Sequence, residues 1–544
     1  MKKLLVIVLA LSLTLGCFTG CGSETVETNA PTDAVETKGG DTEETTSSAS
    51  EEVDSNFNET GYPIVDEKVT LELYAVTSIA DPNAAEYYQR LEELTNVHIE
   101  WITVPEDSAQ ERINLMFTGT DLPDAISKAS KGISNIQGYA SEGLIMPLND
   151  LIDKYMPNFK ERGADIMSSI TYPDGNIYCF PYVTDYFWMS SNQAVYINQQ
   201  WLDNLGLEMP TTTEEFENVL RAFKEQDANG NGDPNDEIPY SAQKGTWQHL
   251  FNMISGAFGY PLGDYQVHDG VVIDPRTDEG LKDAIKYLRG LYVDGLIDQE
   301  IFTQSKDAQI AKTKLETPIV GVTAIWRAGT SFLETTEGQY TYLAPLTGPD
   351  GESAILGASA PKKIGDMVVV TADCEYPEVL ARWIDTLYSE EWSVQMSKGA
   401  LGVTCEQLEN GLYKVWDNAE GHNMTFGEYL TQIHYQQMPY IVSDDLFYSD
   451  GTDANDKGRQ DDFFEATGKV IPAYPKLLMT AEEEEEFNLL MTDVDKYAEE
   501  TICRWISGQG DVDAEWDAYI AQMKVLGHDR MIEIKQQVYD RNYK

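Results

Sequence analysis

Hydrophobic and polar positions alternate along Val69-Thr70-Leu71-Glu72-Leu73-Tyr74-Ala75-Val76, the two-residue period of a strand. The next stretch, Ala84 to Thr95, sets Tyr87, Tyr88, Leu91 and Leu94 at helical spacing. Val97 to Ile102 reads as a second strand, Ile113 to Thr118 as helix, and Leu122 to Ile126 as a turn entering a short buried strand. The 3.6-residue period returns in Thr213–Phe223, Glu279–Val293, Pro377–Tyr388, Glu482–Trp505 and Ala514–Leu526. Strands alternating with helices predict an α/β layer architecture with a mostly parallel sheet. With 544 residues the chain exceeds the roughly 250–300 at which single cores stop growing, so two or more lobes are expected. Glu482 to Glu486 follows Thr480, a plausible N-cap with Glu483 three positions on, and reads as the start of a helix.

The N-terminus has a different pattern. Lys2 and Lys3 precede an apolar run, Leu4 to Leu15, which is shorter than the about 20 residues of a spanning helix and matches an export signal. Phe18-Thr19-Gly20-Cys21 resembles a bacterial lipobox, with a large apolar residue three before the cysteine and a small one just before it. That resemblance implies removal of residues 1–20 and diacylation of Cys21 by chains such as palmitate, the protein's only hold on a lipid bilayer. An ordinary cleaved signal peptide is the alternative, and Cys17 is the weaker lipid site. Residues 21–61 are almost all acidic, small or hydroxylated, with Lys38 the only basic residue, and read as a solvated, disordered tether. Cys179, Cys374, Cys405 and Cys503 are widely spaced without a CxxC, which suggests buried thiols, one disulfide among them remaining open.

Charge narrows the partners. Lys and Arg number 38 against 92 Asp and Glu, so the formal charge is 38 − 92 = −54. Such a chain repels phosphate backbones and anionic headgroups, which excludes nucleic acid as a partner.

One motif carries specific chemistry. Asp227-Ala228-Asn229-Gly230-Asn231-Gly232-Asp233-Pro234-Asn235-Asp236-Glu237 puts oxygen-bearing side chains at loop positions 1, 3 and 5 and glycine at 6. Calcium takes six to eight hard oxygens, and a wrapping chain supplies them from alternate side chains while glycine makes the sharp turn. The expected ligands are Asp227, Asn229 and Asn231 through side chains, Asp233 through its carbonyl, and Asp236 and Glu237 as closing carboxylates. Position 12 is Ile238, which cannot ligate; Asn235 substitutes in another register. Calcium here is expected to be structural. An Asn-Gly-rich surface turn without metal is the bland alternative. Asp444-Asp445 and Asp450 to Asp462 read as a solvated loop, their spacing fitting no standard calcium loop.

The block Trp201–Leu207, Pro210–Phe216 and the Asp227 loop closely resembles the extracellular solute-binding proteins, family 1, of bacterial ABC importers, particularly the large lipoproteins that take up oligosaccharides. Gly119–Asp124, Asn176–Pro181, Leu291–Asp298, Lys524–Arg530 and Tyr539–Arg541 fit as well, so the resemblance runs from about Val69 to the C-terminus. It implies a periplasmic-binding-protein-like fold, two α/β lobes joined by a multi-segment hinge with a ligand cleft between them. The N-terminal lobe is expected from residues 62–184 with 350–397, and the C-terminal lobe, carrying the calcium loop, from 185–349 with 398–544. Crossings are expected near Tyr182–Val195, Leu346–Ala360 and Met396–Cys405. The resemblance further implies a monomer on the outer face of the cell membrane, at a Gram-positive surface, that binds a carbohydrate without chemistry and hands it to permease subunits.

Sugars have an apolar face and a hydroxyl rim, so their clefts combine aromatic platforms with planar polar groups. Trp188 and Tyr186 lead the candidates, with Tyr182 and Asp185 beside them at the expected hinge. Trp247 and the pair Trp326-Arg327 follow, and the strand-end rule for open sheets adds Ser127 and Lys128. Core packing is the alternative for Trp188, Trp247 and Trp326, and the preferred reading of Trp201, Trp383 and Trp505. Two other functions stay open: the same fold binding a peptide or serving as a sensor input, and a surface glycan-active enzyme. No catalytic residue is nominated, since HExxH, GxSxG and a P-loop lysine are all missing from the sequence.

Overall fold

The computed structural model describes residues 56–543 except 120, 130–132, 134, 186–194, 245–246, 264, 326–330, 357–361 and 449–468. Its main strands in chain order are β1 (Val69–Val76), β2 (Val97–Val104), β3 (Ala125–Ser127), β4 (Phe180–Asp185), β5 (Val195–Asn198), β6 (Ile238–Ser241), β7 (Val320–Ala324), β8 (Tyr340–Tyr342), β9 (Ala354–Leu356), β10 (Lys363–Val370), β11 (Tyr440–Ser443) and β12 (Lys469–Ile471). They form a six-stranded sheet in the order β11-β4-β10-β3-β1-β2, a four-stranded sheet in the order β8-β5-β7-β6, and a β9-β12 pair. Helices used below are α1 (Glu86–Thr95), α2 (Glu106–Phe117), α3 (Ile136–Ser141), α4 (Gln199–Leu205), α5 (Thr213–Glu225), α6 (Trp247–Ala257), α7 (Leu281–Val293), α8 (Pro377–Tyr388), α9 (Ala481–Ile506), α10 (Val512–Val525) and α11 (His528–Tyr543).

The first sheet follows from its strand patterns. β1 alternates buried and exposed residues at its start and is buried throughout its second half, as a central strand covered on both faces must be. It pairs in parallel with β2 along its whole length and with β3 at Leu73 and Tyr74. Only β10 runs against its neighbours, β3 and β4. The second sheet departs from the parallel expectation. β5 is antiparallel to both β7 and β8, and only β6 and β7 are parallel, because β5 enters from the other lobe against the local direction.

Each sheet has its own core. Leu71, Leu73, Tyr87, Phe159, Trp383, Leu387 and Tyr429 pack in the first, and Trp201, Phe216, Tyr240, Leu250, Val322, Trp505 and Trp516 in the second. Trp201, Trp383 and Trp505 are therefore core residues, as their helical contexts suggest. Thr480 caps α9 as expected: Glu483 N–H donates to Thr480 Oγ1 and Thr480 N–H donates to Glu483. All four of Cys179, Cys374, Cys405 and Cys503 are free thiols.

The lobe boundaries need two corrections. Residues 398–443 were expected in the C-terminal lobe, but Ala400, Val403, Ala419, Tyr429, Tyr435, Met438 and Ile441 fill the first core, and β11 pairs with β4. The third crossing thus falls after β11 rather than at 396–405. Of the segment 21–61 expected to be a tether, residues 56–61 are built into the fold. Phe57 bridges to Val65 and packs edge-on against Tyr155, while Arg382 donates to Asn58 O and Gly61 O.

A buried ion cluster ties the second lobe's helices together. Asp274 is 5% exposed and accepts three hydrogen bonds from the Arg276 guanidinium and one from the backbone N–H of Arg276; His528 of α11 lies 3.2 Å away. Arg276 also reaches Asp495 of α9 at 2.7 Å. Burial alone would raise the Asp274 carboxyl, yet His528 and Arg276 hold it far below the ordinary 3.8. Removing one partner of such a cluster leaves a buried charge, so Asp274→Ala is expected to cost about 3–5 kcal/mol in urea unfolding. Because the native pKa is depressed, the contribution is present above pH 3.8 and lost as pH falls below it.

Candidate functional site

Strand direction puts the described candidates Ser127, Lys128 and Asp185 on one edge of the first sheet. In the first sheet, the ends of β1, β2, β3, β4 and β11 lie on the same edge as the start of β10, since Lys363 pairs with Thr184 and Val442 pairs with Thr184. That edge carries Ser127, Lys128, Asp185, Lys362 and Ser443. In the second sheet, Val195 at the start of β5 pairs with Ala324 at the end of β7, and Thr323 pairs with Ser241 at the end of β6. Residues 186–194 join Asp185 on the first edge to Val195 on the second. The segments after β6 and β7 lead to positions 247 and 326–327. Ligand crevices in open α/β sheets lie outside such strand ends.

Tyr186, Trp188, Trp326 and Arg327 lie outside the described residues, as does the side chain of Trp247, whose backbone opens α6. Tyr182 is half-buried, its ring tilted against Tyr440 with centroids 5.6 Å apart, and burial raises its phenol. The ring lies across Gly365, its partner on β10: a Cβ there would sit 2.0 Å from it. Asp185 is half-exposed, 3.8 Å from Lys362, which also holds Asp165 at 2.7 Å. Lys128 has a positive φ of 53° and pairs with Glu106 of α2 at 2.6 Å. Ser127 must be withdrawn as a ligand contact. It is fully buried, and its hydroxyl is held by Tyr435 at 2.5 Å and donates to Tyr74 O.

Beneath the second edge lies a polar layer that sequence reading missed. Ser241 Oγ donates to Asp298, Lys312 Nζ lies 2.8 Å from Asp298 and 2.8 Å from Glu300, and Gln304 donates to Ser241 Oγ and Ala242 O. Gln309 donates to Thr323 Oγ1 and Ala324 O. Burial pushes the Asp298 carboxyl up, but Lys312 and Ser241 bring it below its ordinary value. These bonds fix the ends of β6 and β7. The available signal was Ser305 as an N-cap with Gln309 and Thr313 on one face of the helix it starts.

The Asp227 loop sits between α5 and β6, on which Ile238 is the first residue. Asp227 Oδ2, Asn229 Oδ1 and Asn231 Oδ1 accept from Gly232, Asn231 and Asp233 N–H, turning the chain around its own side chains. Gly230 and Gly232 have φ of 72° and 94°, the left-handed turn expected of the glycine at position 6. Both Asn amides donate to Asp236, at 3.1 and 2.7 Å. Asp227 Oδ1 and Glu237 Oε2 are buried without a donor. Burial, with the nearby Asp236 charge, raises the Glu237 carboxyl. Among the described residues no group of three or more His, Cys, Asp or Glu is placed to hold a metal; this set is mixed Asp, Asn and Glu, and its two orphan carboxylate oxygens fit a hard cation.

Comparison with known proteins places these features in context. The family model for bacterial extracellular solute-binding protein matches residues 76–394. The chain is 33% identical over 497 residues to the fructooligosaccharide ABC transporter substrate-binding protein FusA of Streptococcus pneumoniae serotype 4, covering 87% of this chain and 90% of that protein. The structure of S. pneumoniae FusA in complex with kestose superposes with a TM-score of 0.77 at 30% identity, covering 87% of this chain and 99% of that one. An EF-hand mutant of FusA in complex with fructo-nystose gives 0.76 at 30% identity, with the same coverage of 87% and 99%.

Gly365 offers a direct check on the rim geometry. Gly365→Ala must displace the Tyr182 ring or shift the strand, and overpacking of this kind is expected to cost about 1–3 kcal/mol in chemical unfolding.

Proposed function

The chain belongs to the bacterial extracellular solute-binding proteins, and from that membership we propose that it is the lipid-anchored capture component of an ABC importer for neutral oligosaccharides. The family works outside the cytoplasm, and no helix among the described residues is long and apolar enough to cross a membrane. Anchoring falls to the acylated Cys21 at a Gram-positive cell surface, with the acidic residues up to about 55 as the tether. The observation that supports the reading is topological: the chain leaves the end of β4 in the first sheet and re-enters at the start of β5, on the edge of the second sheet that also carries the ends of β6 and β7, and the candidates Tyr186, Trp188, Trp247, Trp326 and Arg327 follow those strand ends in the sequence. The likeness to FusA supports an oligosaccharide as the ligand.

In this reading the aromatic rings receive sugar faces while Asp185, Lys128 and Arg327 meet hydroxyls, and the lobes close on the ligand about the three crossings. No bond is made or broken; ligand passes to permease subunits, and the protein acts as a monomer. Asp227, Asn229, Asn231, Asp233, Asp236 and Glu237 hold Ca²⁺, which supplies a structural clamp between α5 and β6. The EF-hand named for the FusA mutant supports that assignment.

Two measurements follow. Isothermal calorimetry should detect binding of kestose or another neutral oligosaccharide, weakened at least about tenfold by Trp188→Ala, a loss of about 1.4 kcal/mol; binding of peptides alone would refute the ligand class. Chelation should lower the melting temperature of the wild type, and Asp227→Ala should abolish that response, while excess Ca²⁺ over its Kd raises the wild-type melt. A melt indifferent to EDTA contradicts the calcium assignment.

A further inference from the structure

Residues 476–484 belong to the second lobe but rest on the first. Leu477 and Met479 pack against the second core, while Leu478 lies against the first-lobe cluster of Ile136, Tyr172, Tyr178 and Cys179. Lys476 Nζ donates to Ile364 O and to Asp366 Oδ1 of β10, each at 3.2 Å. The helix that follows, α9, packs against α3.

Glu484 stands in the first turn of α9, and its Oε2 is buried without a hydrogen-bond partner. Asp366 of β10 and Tyr172 are the titratable groups near it from the first lobe. Lys476 is committed to Asp366, and α3 contributes Gln137, which is neutral and has its own Oε1 buried and unpartnered. On its own helix, Glu483 turns away to Arg541 of α11. Asp174, beyond Tyr172, is held by Tyr178 at 2.6 Å. The contact thus holds two carboxylates and one lysine; the lysine is bonded to Asp366, and Glu484 Oε2 has no donor. Burial first, and the Asp366 charge second, push its carboxyl up to about 7.

We propose that this contact is a proton-linked latch between the lobes: with Glu484 protonated, residues 476–484 stay seated on β10 and α3, and with Glu484 ionised they release. The sign follows from linkage. The seated form holds a proton that an exposed glutamate gives up at its ordinary 4.5, so the latch is fully favoured below that pH and loses its advantage as pH rises to about 7. The proposal is independent of which ligand the protein takes.

Hydrogen exchange of the full-length protein between pH 5 and 8, corrected for intrinsic rates, tests it. Peptides covering 476–485 and 136–141 should lose protection about tenfold or more as pH rises, and Glu484→Gln should retain the acidic-side protection throughout. Unchanged protection in the wild type, or the same loss in Glu484→Gln, overturns the latch. The wild-type profile decides by itself if the variant does not fold, because a transition midpoint below pH 5 also overturns it.

Discussion

The chain has to pass between two separately packed cores three times, and that continuity constrains everything else in the molecule. The three strands at which it leaves or enters the first lobe, β11, β4 and β10, are neighbours in the sheet. β4 and β11 run outward and β10 runs inward, so all three passages meet one edge. A hinge confined to adjacent strands lets one lobe swing against the other without disturbing either core. It also joins the strand ends of the first sheet to the edge of the second that carries the ends of β6 and β7, and ligand crevices in open α/β sheets lie outside such ends.

Much of this was legible in the sequence, for reasons that separate local from distant information. β1, α1 and β2 could be read because each carries its period in consecutive residues. The Asp227 loop could be read because its side chains bond to N–H groups within a few positions. Residues 398–443 could not: their buried positions sit in short pieces such as Cys405–Gln407 and Tyr413–Val415, with no period long enough to reveal which core they fill. Ser127 shows the same limit at a single side chain. The strand-end rule located it on the rim, but its hydroxyl is turned inward by Tyr435, which is 308 positions away.

Charge acquires distinct meanings once the residues are placed. Carboxylates at Asp274 and Asp298 are buried and neutralised by Arg276 and Lys312, and serve to hold helices and strand ends in register. At the rims, Lys128 and Lys362 are paired with Glu106, Asp165 and Asp185. The acidic surplus of the chain, 92 Asp and Glu against 38 Lys and Arg, disfavours an anionic ligand.

The central claim is that a neutral oligosaccharide is enclosed between the strand edges of the two sheets. Its most direct test is hydrogen-exchange mapping of the protein with and without saturating kestose. The account predicts added protection in the segments 182–195, 242–248 and 324–331, which start from the two edges. Binding with protection confined to other surfaces, or protection absent from all three segments, would contradict it.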